Sequence, residues 1–379
     1  MLDNELTHDL VNMAEFDEPK HSKREVVNAG KLLARNIYKV DDDVREAFKI
    51  AHNWRSAYAY PMHRLRHELR GKIARGGGKG ITAGRLKRMI SIRRKLSSGA
   101  LSLYQMQDIA GVRAVLSSID EVNRISGLFE DGATQHRLVR TDDYLIMPRE
   151  SGYRSRHLIL KYTGDSGDEV FNRQFVEIQL RTERQHAWAT SVESVGLVTG
   201  DNLKGGEGNP DWLRFFKLMS AEIAEREGLP ADKSAPKRND RLVELRALNK
   251  RLGAIQELES YKEAIHYTDA FFGNDYRYVL MSFNRMTKTV TVRPYIGFRD
   301  IDEEYERIEG GLLPETVEDS NAVLVEVDRV RDLKSAYPNY FLDVQLFVSE
   351  CRKSLSGRGL SVDDQDFTWL CDWKKTVRR

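Results

Sequence analysis

The stretch from residue 142 to residue 193 constrains the fold most, because a strand pattern runs directly into a helix signal there. In its second half, three apolar residues alternate with Glu177, Gln179 and Arg181, and this period of two is typical of a strand with one buried face. Thr182, with a glutamine three residues later, fits a capping box at the start of a helix. We therefore expect a strand that presents a row of polar side chains and leads straight into a helix.

Length and composition indicate a folded protein of two domains. The chain has 379 residues, of which 40% are hydrophobic and 31% charged, as in ordinary globular proteins. No apolar run approaches the roughly 20 residues that span a bilayer, and the acidic start does not resemble a secretory signal. We therefore expect a cytoplasmic protein without a membrane partner. Cys351 and Cys371 are too few for a disulfide framework or a four-cysteine zinc site.

Charge is segregated along the chain although the net charge is only +2. Between His63 and Leu96 there are twelve Lys/Arg and one acid, whereas Asp300 to Asp328 carries eleven Asp/Glu and one arginine. Like charges repel unless an anion is nearby, so the basic run predicts contact with phosphates. The plainer alternative for each run is a solvated face.

The first predicted domain comprises residues 1–228 and is of α+β type, with a mixed sheet flanked by helices and a helical N-terminus in which a second helix begins at Asp42. The pattern predicts a helix from Thr82, on which Lys87, Ser91 and Lys95 share one face that could line a polyphosphate. Asp108 stands at the entrance of a buried strand, where an acid needs a partner or a metal.

The second predicted domain comprises residues 229–379. Its composition indicates a linker at about 229–240, an amphipathic helix at about 241–266, a hairpin with a third strand, and a closing helix that Pro338 opens. The residues of this domain show no evident catalytic set.

Three motifs carry a resemblance to a known family. In order, they are Asp108 to Arg113, Gly152 to His157, and Val176 to Thr182, and together they resemble the synthetase domain of the RelA/SpoT superfamily over about residues 60–200. The resemblance implies transfer of the β,γ-pyrophosphate of ATP to a ribose 3′-hydroxyl, with release of AMP. It also implies a small, synthetase-only member, because no hydrolase domain precedes the motifs.

The resemblance also implies roles for the donor side. Arg85 and Arg113 would stack on the adenine of ATP, because planar guanidinium groups stack on ring faces. Lys87, Ser91 and Lys95 would hold its phosphates. The resemblance further implies that Asp108 and Glu177 bind Mg²⁺ as the cofactor, and that Glu177 also serves as general base.

On the acceptor side, the resemblance implies that Tyr153 stacks on the acceptor base and that neighbouring polar groups complete the pocket. These are Arg154, Arg156, His157, Gln179 and Arg181. Arg156 departs from the family, which usually has an apolar residue there. A cation at this position, together with the basic run between His63 and Leu96, favours a longer phosphodiester chain over a small guanine nucleotide as the acceptor.

Tyr337 and Tyr340 form a Tyr-x-x-Tyr motif in the second domain. Placed after a synthetase domain, this motif resembles the C-terminal region of the CapRel group of fused toxin-antitoxin proteins. The resemblance implies a smaller, zinc-finger-like α/β domain without zinc that obstructs ATP binding. It also implies pyrophosphorylation of the tRNA CCA end, with release of inhibition by a phage capsid protein. We further expect a monomer.

Two alternatives stay open at this point. One is a (p)ppGpp synthetase that transfers pyrophosphate to GDP or GTP under control of its C-terminal domain. The other is an inactive RNA-binding module, which the presence of Asp108, Tyr153 and Glu177 disfavours.

Overall fold

A computed structural model describes seven segments of the chain. They are residues 13–36, 41–261, 266–267, 276–284, 289–298, 323–327 and 344–356. Several residues with predicted roles lie outside these segments, namely Tyr337, Tyr340, Cys371 and most of the acidic run. The predictions that concern them stay predictions.

Seven helices lie in the first 228 residues, within the described segments. They are α1 (Lys23–Arg35), α2 (Asp42–Ser56), α3 (Ala59–Arg75), α4 (Met89–Ser97), α5 (Ile119–Glu130), α6 (Glu183–Thr199) and α7 (Pro210–Arg226). Short polar side chains begin several of them. Ser22 forms a capping box with Glu25 at the start of α1, and the Asp41 carboxylate accepts a hydrogen bond from the Val44 amide at the start of α2. The predicted second helix from Asp42 is therefore confirmed.

One mixed sheet runs through the molecule. Its strands in the first half are β1 (Gly80–Leu86), β2 (Ala110–Leu116), β3 (Arg137–Asp143), β4 (Arg156–Lys161) and β5 (Phe175–Thr182). The later strands are β6 (His266–Tyr267), β7 (Tyr278–Asn284), β8 (Thr289–Tyr295) and β9 (Val323–Val327). The order across the sheet is β3-β4-β5-β2-β1-β9-β7-β8-β6. β2 and β5 run parallel, whereas β1 and β2 are antiparallel, which makes the sheet mixed as predicted.

The prediction of a helix from Thr82 was wrong. Residues Gly80–Leu86 form β1, and α4 begins only at Met89. Thr82 is β-branched and pairs with Ala114 of β2, so non-local pairing with a neighbouring strand decides the conformation here. Lys87 consequently precedes α4, while Ser91 and Lys95 lie on it.

The predicted hairpin and third strand of the second half are confirmed as β7, β8 and β9. The predicted helix at about 241–266 is instead two helices, α8 (Arg238–Leu252) and α9 (Ala254–Ser260). Gly253 separates them with a φ of 60°, a left-handed conformation that ends a helix and that glycine adopts without strain. The closing helix, α10, spans Gln345–Leu355.

The two predicted domains share the sheet and a hydrophobic core. β9 pairs with β1, so that Arg85 lies opposite Val325. Buried residues of α6 and α7, among them Val195 and Phe216, pack with Leu245 of α8 and Phe347 of α10 in one cluster. The boundary at residue 228 stays a prediction, but the strands that follow it extend the same sheet.

No helix among the described residues is long and apolar enough to cross a membrane.

Candidate functional site

Strand register gathers the predicted polar residues on one face of the sheet, which we call the site face. Arg85 of β1 lies opposite Gly111 of β2, which in turn lies opposite Glu177 of β5. In the next row, Arg113 of β2 lies opposite Gln179 of β5. Residues that pair across strands point to the same side of a sheet, so these side chains share the site face.

The opposite face holds the core. Val176, Ile178 and Leu180 are fully buried against residues of α3 such as Leu65 and Leu69. The alternation expected of β5 is therefore present in the structure.

Asp108 forms the centre of a cationic cluster at the entrance of β2. Its Oδ2 accepts hydrogen bonds from Lys87 Nζ at 3.1 Å and from Lys95 Nζ at 2.8 Å. Burial alone would raise the pKa of the Asp108 carboxyl, but Lys87 and Lys95 more than offset it and hold that pKa below its usual value. The carboxylate is thus ionised at neutral pH, beside two cations that suit a polyphosphate.

Tyr153, His157 and Glu177 form a hydrogen-bonded chain. The Tyr153 hydroxyl lies 2.8 Å from His157 Nε2, and His157 Nδ1 lies 2.7 Å from Glu177 Oε1. Burial would raise the pKa of Glu177, but its hydrogen bonds to His157 and Gln179 lower that pKa to about 2. Burial opposes the charging of His157, yet Tyr153 and Glu177 together raise its pKa. The chain therefore holds a carboxylate next to an imidazole that favours its protonated form.

Arg181 also belongs to this network and contacts both Tyr153 and Gln179. Its guanidinium donates to the Tyr153 hydroxyl at 2.5 Å and to Gln179 Oε1 at 3.1 Å. Burial would raise the pKa of Tyr153, but the charges of Arg181 and His157 lower it to about 7. The four acceptor-side residues His157, Gln179, Arg181 and Tyr153 therefore belong to one hydrogen-bonded network.

Two features of the site were not predicted from the sequence. The Arg149 guanidinium lies 4.5 Å from the Tyr144 ring centroid and 5.4 Å from that of Tyr153, so it stacks on the expected acceptor platform. Arg149 lies within residues 142–193, four residues before Tyr153, and this nearness in sequence is the only signal for its role that the sequence offers.

Glu193 and Lys204 are the second unpredicted feature. Glu193 of α6 pairs with Lys204 Nζ at 2.5 Å. Burial would raise the pKa of Glu193, but the charges of Lys204, Arg85 and Arg113 hold it well below its usual range. A carboxylate thus faces the two arginines expected to hold adenine. Lys204 lies in the Gly-rich loop after α6, and no pattern in that loop indicates its role.

Arg154 and Arg156 do not join the site. Arg156 lies opposite Leu180, whose side chain is in the core, and its guanidinium donates to Asp143 Oδ2 at 2.7 Å and to Asn123 Oδ1 at 2.8 Å. Arg154 is buried and donates to the backbone carbonyls of Leu145 and Pro230. The expectation of an additional acceptor-side cation at Arg156 is therefore wrong, because strand alternation turns this side chain to the opposite face.

The residues fit a divalent cation at Asp108. Its Oδ1 is buried and has no hydrogen-bond partner among the described residues, which leaves one carboxylate oxygen able to bind a metal. Both oxygens of Glu177 are engaged, by His157 and by Gln179, so Glu177 would bind a metal only by exchanging one of these contacts.

A second group of potential metal ligands lies away from the site. Within the described segments, His63, His67 and Glu326 bring ligand atoms within 4.8 Å of one another. The Arg66 guanidinium lies between them, 2.9 Å from Glu326 Oε1 and 3.1 Å from His67 Nε2. A cation already occupies this position, so the group serves to hold β9 on α3.

Comparison with known proteins agrees with the site. Residues 84–195 match the family described as the region found in RelA / SpoT proteins. The GTP pyrophosphokinase YjbM of Bacillus subtilis is 32% identical over 151 residues, which are 38% of this chain and 67% of that protein. The GTP pyrophosphokinase of Escherichia coli strain K12 is 26% identical over 183 residues, 47% of this chain but only 23% of that longer protein.

Among solved structures, the small alarmone synthetase 1 of Bacillus subtilis bound to its product pppGpp is 26% identical. The match covers 45% of this chain and 87% of that one, with a TM-score of 0.38.

The site, the family match and the sequence relatives define an enzyme that transfers pyrophosphate from ATP. The chain belongs to the RelA/SpoT family. Pyrophosphokinases of this kind generally use ATP and Mg²⁺. The enzyme class predicted from the sequence is confirmed, and the alternative of an inactive RNA-binding module is set aside.

Proposed function

We propose that this enzyme transfers the β,γ-pyrophosphate of ATP to the 3′-hydroxyl of a ribose. The observation that carries the proposal is the cluster of Asp108, Lys87 and Lys95 at the entrance of β2, the strand that pairs with β5, where Glu177 of the Tyr153–His157–Glu177 chain lies. A bound Mg²⁺ would neutralise charge on the polyphosphate, and Asp108 Oδ1 is the oxygen placed to hold it.

The protein side chains supply positioning and charge. Lys87 and Lys95 bind the phosphate oxygens, and Arg85 and Arg113 hold the adenine. Glu177 accepts the proton of the acceptor hydroxyl as the bond from the 3′-oxygen to the β-phosphorus forms. The bond between the β-phosphorus and the oxygen that bridges it to the α-phosphorus breaks, and AMP leaves with that oxygen.

For the acceptor, we propose the CCA end of tRNA. The support is the segment between β3 and Tyr153, in which Ile146 is 49% exposed and Met147 is 72% exposed, and from which Arg149 lies against the Tyr153 ring. Apolar and cationic groups in combination suit single-stranded nucleic acid, which stacks its bases while its phosphates meet cations. These residues, and not Arg156, support a long acceptor. A guanine nucleotide is the second candidate, because two relatives are named GTP pyrophosphokinases.

A labelling experiment separates the two acceptors. The full-length chain and its Tyr337→Ala variant are incubated with γ-labelled ATP and either deacylated tRNA or GDP. We expect label on tRNA, and none on tRNA that lacks the terminal adenosine. Label on GDP alone would exclude tRNA as the acceptor. If neither tRNA nor GDP is labelled, both candidate acceptors are excluded.

The Ile146 and Met147 surface gives a sharper test. Replacing both residues with serine should raise KM for tRNA by about thirtyfold, because each exposed apolar contact contributes on the order of 1 kcal/mol. The same change should leave the KM for ATP unaltered. As a matched control, Val243→Ser alters an apolar side chain that is 64% exposed on α8, outside the segment that leads to Tyr153.

We further propose that the C-terminal half, as a zinc-finger-like domain without zinc, inhibits the enzyme until a phage capsid protein binds it. The support is the continuity of the sheet, since β9 pairs with the strand that carries Arg85. Tyr337→Ala or Tyr340→Ala should make the full-length protein toxic to cells. Normal growth with folded, expressed variants would contradict this regulation.

A further inference from the structure

A polar cavity of about 430 Å³ lies on the side of the sheet opposite the site face. One wall is α3, which contributes Arg64, Glu68, Lys72 and Arg75, and the other is the segment 133–136 that precedes β3. Helix α3 packs against the buried face of the sheet through residues such as Leu65. The cavity is therefore separate from the pyrophosphate-transfer site and is not used in the proposed reaction.

The charges that line the cavity favour an anion. Three cations, Arg64, Lys72 and Arg75, face one acid, Glu68. Both Glu68 oxygens are engaged, one with Lys72 Nζ at 3.0 Å and the other with His136 Nε2 at 3.5 Å. The lining thus has an excess of two positive charges, which matches the charge of a phosphate dianion.

His136 does not change this balance. Its Nδ1 accepts a hydrogen bond from the Thr163 amide at 3.2 Å, so the proton of the neutral ring is on Nε2, facing Glu68. Burial lowers the pKa of His136, although Glu68 opposes that effect. A neutral His136 completes the wall with its Nε2 towards Glu68, which leaves the arginines to meet a ligand.

The arginines have hydrogen-bond donors to offer. Among the residues that the structure describes, Arg75 has neither an ion pair nor a hydrogen bond, and its side chain is exposed at the cavity. Arg64 makes one weak contact to the exposed Asp165 at 3.4 Å and one to the Tyr60 hydroxyl at 3.2 Å. The Thr134 hydroxyl accepts from the His136 amide and keeps its own proton to donate.

We propose that this cavity between α3 and residues 133–136 is a second binding site, for a small phosphate-bearing anion up to the size of a mononucleotide. Arg64 and Arg75 bind the phosphate group, since guanidinium groups bind phosphate through paired N–H donors. Lys72 supplies positive charge from the buried end. The site does not depend on which acceptor the enzyme uses.

The test uses the full chain, in a Lys87→Ala/Lys95→Ala background that removes phosphate binding cations from the reaction site. Titration calorimetry with inorganic pyrophosphate and, separately, with AMP measures what binding remains. Arg75→Gln should weaken that binding by about tenfold, the usual contribution of a hydrogen bond to a charged group. Arg64→Gln/Arg75→Gln should weaken it further.

The control is Arg70→Gln, which removes an exposed cation of α3 that does not line the cavity and should change affinity less than about twofold. Arg75 has no ion pair to lose, so its variant tests the site without risk to the fold. If Arg75→Gln weakens the binding of AMP, the natural ligand is a nucleotide. If it weakens only the binding of pyrophosphate, the natural ligand is an inorganic anion. Absence of binding in the background, or equal affinities for the Arg75 and Arg70 variants, would overturn the proposal.

Discussion

At the scale of single residues, Asp108 combines two properties that a metal-assisted phosphoryl transfer needs. One carboxylate oxygen is held by Lys87 and Lys95, and the other is buried without a partner among the described residues. The two lysines fix the side chain and keep it ionised, so the second oxygen is positioned before any ligand arrives.

Asp108→Asn should reduce kcat for pyrophosphate transfer by about 10²- to 10³-fold, the usual cost of losing one preorganised charge at a reacting phosphate. The measurement is the initial rate of AMP release in the presence of the acceptor. Asp120→Asn, at an exposed position of α5, is the matched control and should retain the wild-type rate. A rate within threefold of wild type for Asp108→Asn would contradict the assigned role.

Glu177 should make the stability of the protein dependent on acid pH. Its pKa is about 2 in the folded protein and 4.5 ordinarily, so folding favours the ionised form. The stabilisation is present above pH 4.5 and is lost as the pH falls towards 2. Between about pH 5 and about pH 3 the wild type should lose about 2 kcal/mol more unfolding free energy than Glu177→Gln.

Urea unfolding at the two pH values measures this difference. Glu207→Gln, which replaces an exposed glutamate, should keep the pH dependence of the wild type. If the unfolding free energies of the wild type and Glu177→Gln fall equally between the two pH values, the His157 contact does not stabilise the ionised carboxylate.

At the scale of elements, the junction of β5 and α6 links the two halves of the site. Glu177 and Arg181 lie on β5. Glu193 lies on α6, where its carboxylate interacts with the charges of Arg85 and Arg113. Thr182 joins the two elements as the cap of α6, where its hydroxyl accepts from the Gln185 amide at 3.2 Å. The same hydroxyl donates to Glu227, which follows α7.

Thr182→Ala should lower the free energy of unfolding by about 1 to 2 kcal/mol, because both the cap and the contact to Glu227 are lost. Thermal or urea unfolding measures the loss. Thr182→Ser retains the hydroxyl and should retain most of the stability. Equal losses for the two variants would show that the methyl group, and not the cap, is responsible.

At the scale of the whole molecule, a buried ion pair fastens the C-terminal strands to the first half. Glu326 of β9 contacts His63 Nδ1 at 2.5 Å and Arg66 at 2.9 Å, and all three side chains are almost fully buried. Burial would raise the pKa of Glu326, but Arg66 and His63 hold it well below its usual range. The carboxylate is therefore ionised inside the core and depends on these partners.

Glu326→Ala should destabilise the full-length protein by about 3 to 5 kcal/mol, because it removes the carboxylate that faces the buried Arg66 and His63 side chains. Replacing all three groups together, as His63→Leu/Arg66→Met/Glu326→Leu, should cost much less, since no charge is then buried. Chemical unfolding of both variants gives the comparison. A triple variant as unstable as Glu326→Ala would mean that packing, and not charge, dominates at this contact.

Local sequence patterns predicted much of what lies around the site. The alternation in β5, the capping box at Thr182 and the start of α2 at Asp42 each depend on neighbours within about four residues, which a sequence displays directly. The family motifs likewise placed Tyr153, His157 and Glu177, and the structure joins them in one hydrogen-bonded chain.

The errors came from contacts between distant parts of the chain. Thr82 lies in a strand because β2 and β9 pair on either side of β1, and such pairing is invisible in a window of local sequence. Arg156 was expected to be a site cation because it lies in the Gly152–His157 motif where the family usually has an apolar residue. It is adjacent to His157 on β4, however, and adjacent residues of a strand face opposite ways.

The sequence by itself determined the chemistry of this protein: the acids, lysines and arginines for pyrophosphate transfer, and the strand with Glu177 and Arg181 that leads into a helix. Only the tertiary structure decided which charges meet. It brought Lys204 to Glu193, turned Arg156 to Asp143 and buried Glu326 beside Arg66. The physical reason is that periodicity fixes the face on which a side chain lies, whereas its partner depends on which distant element packs against that face.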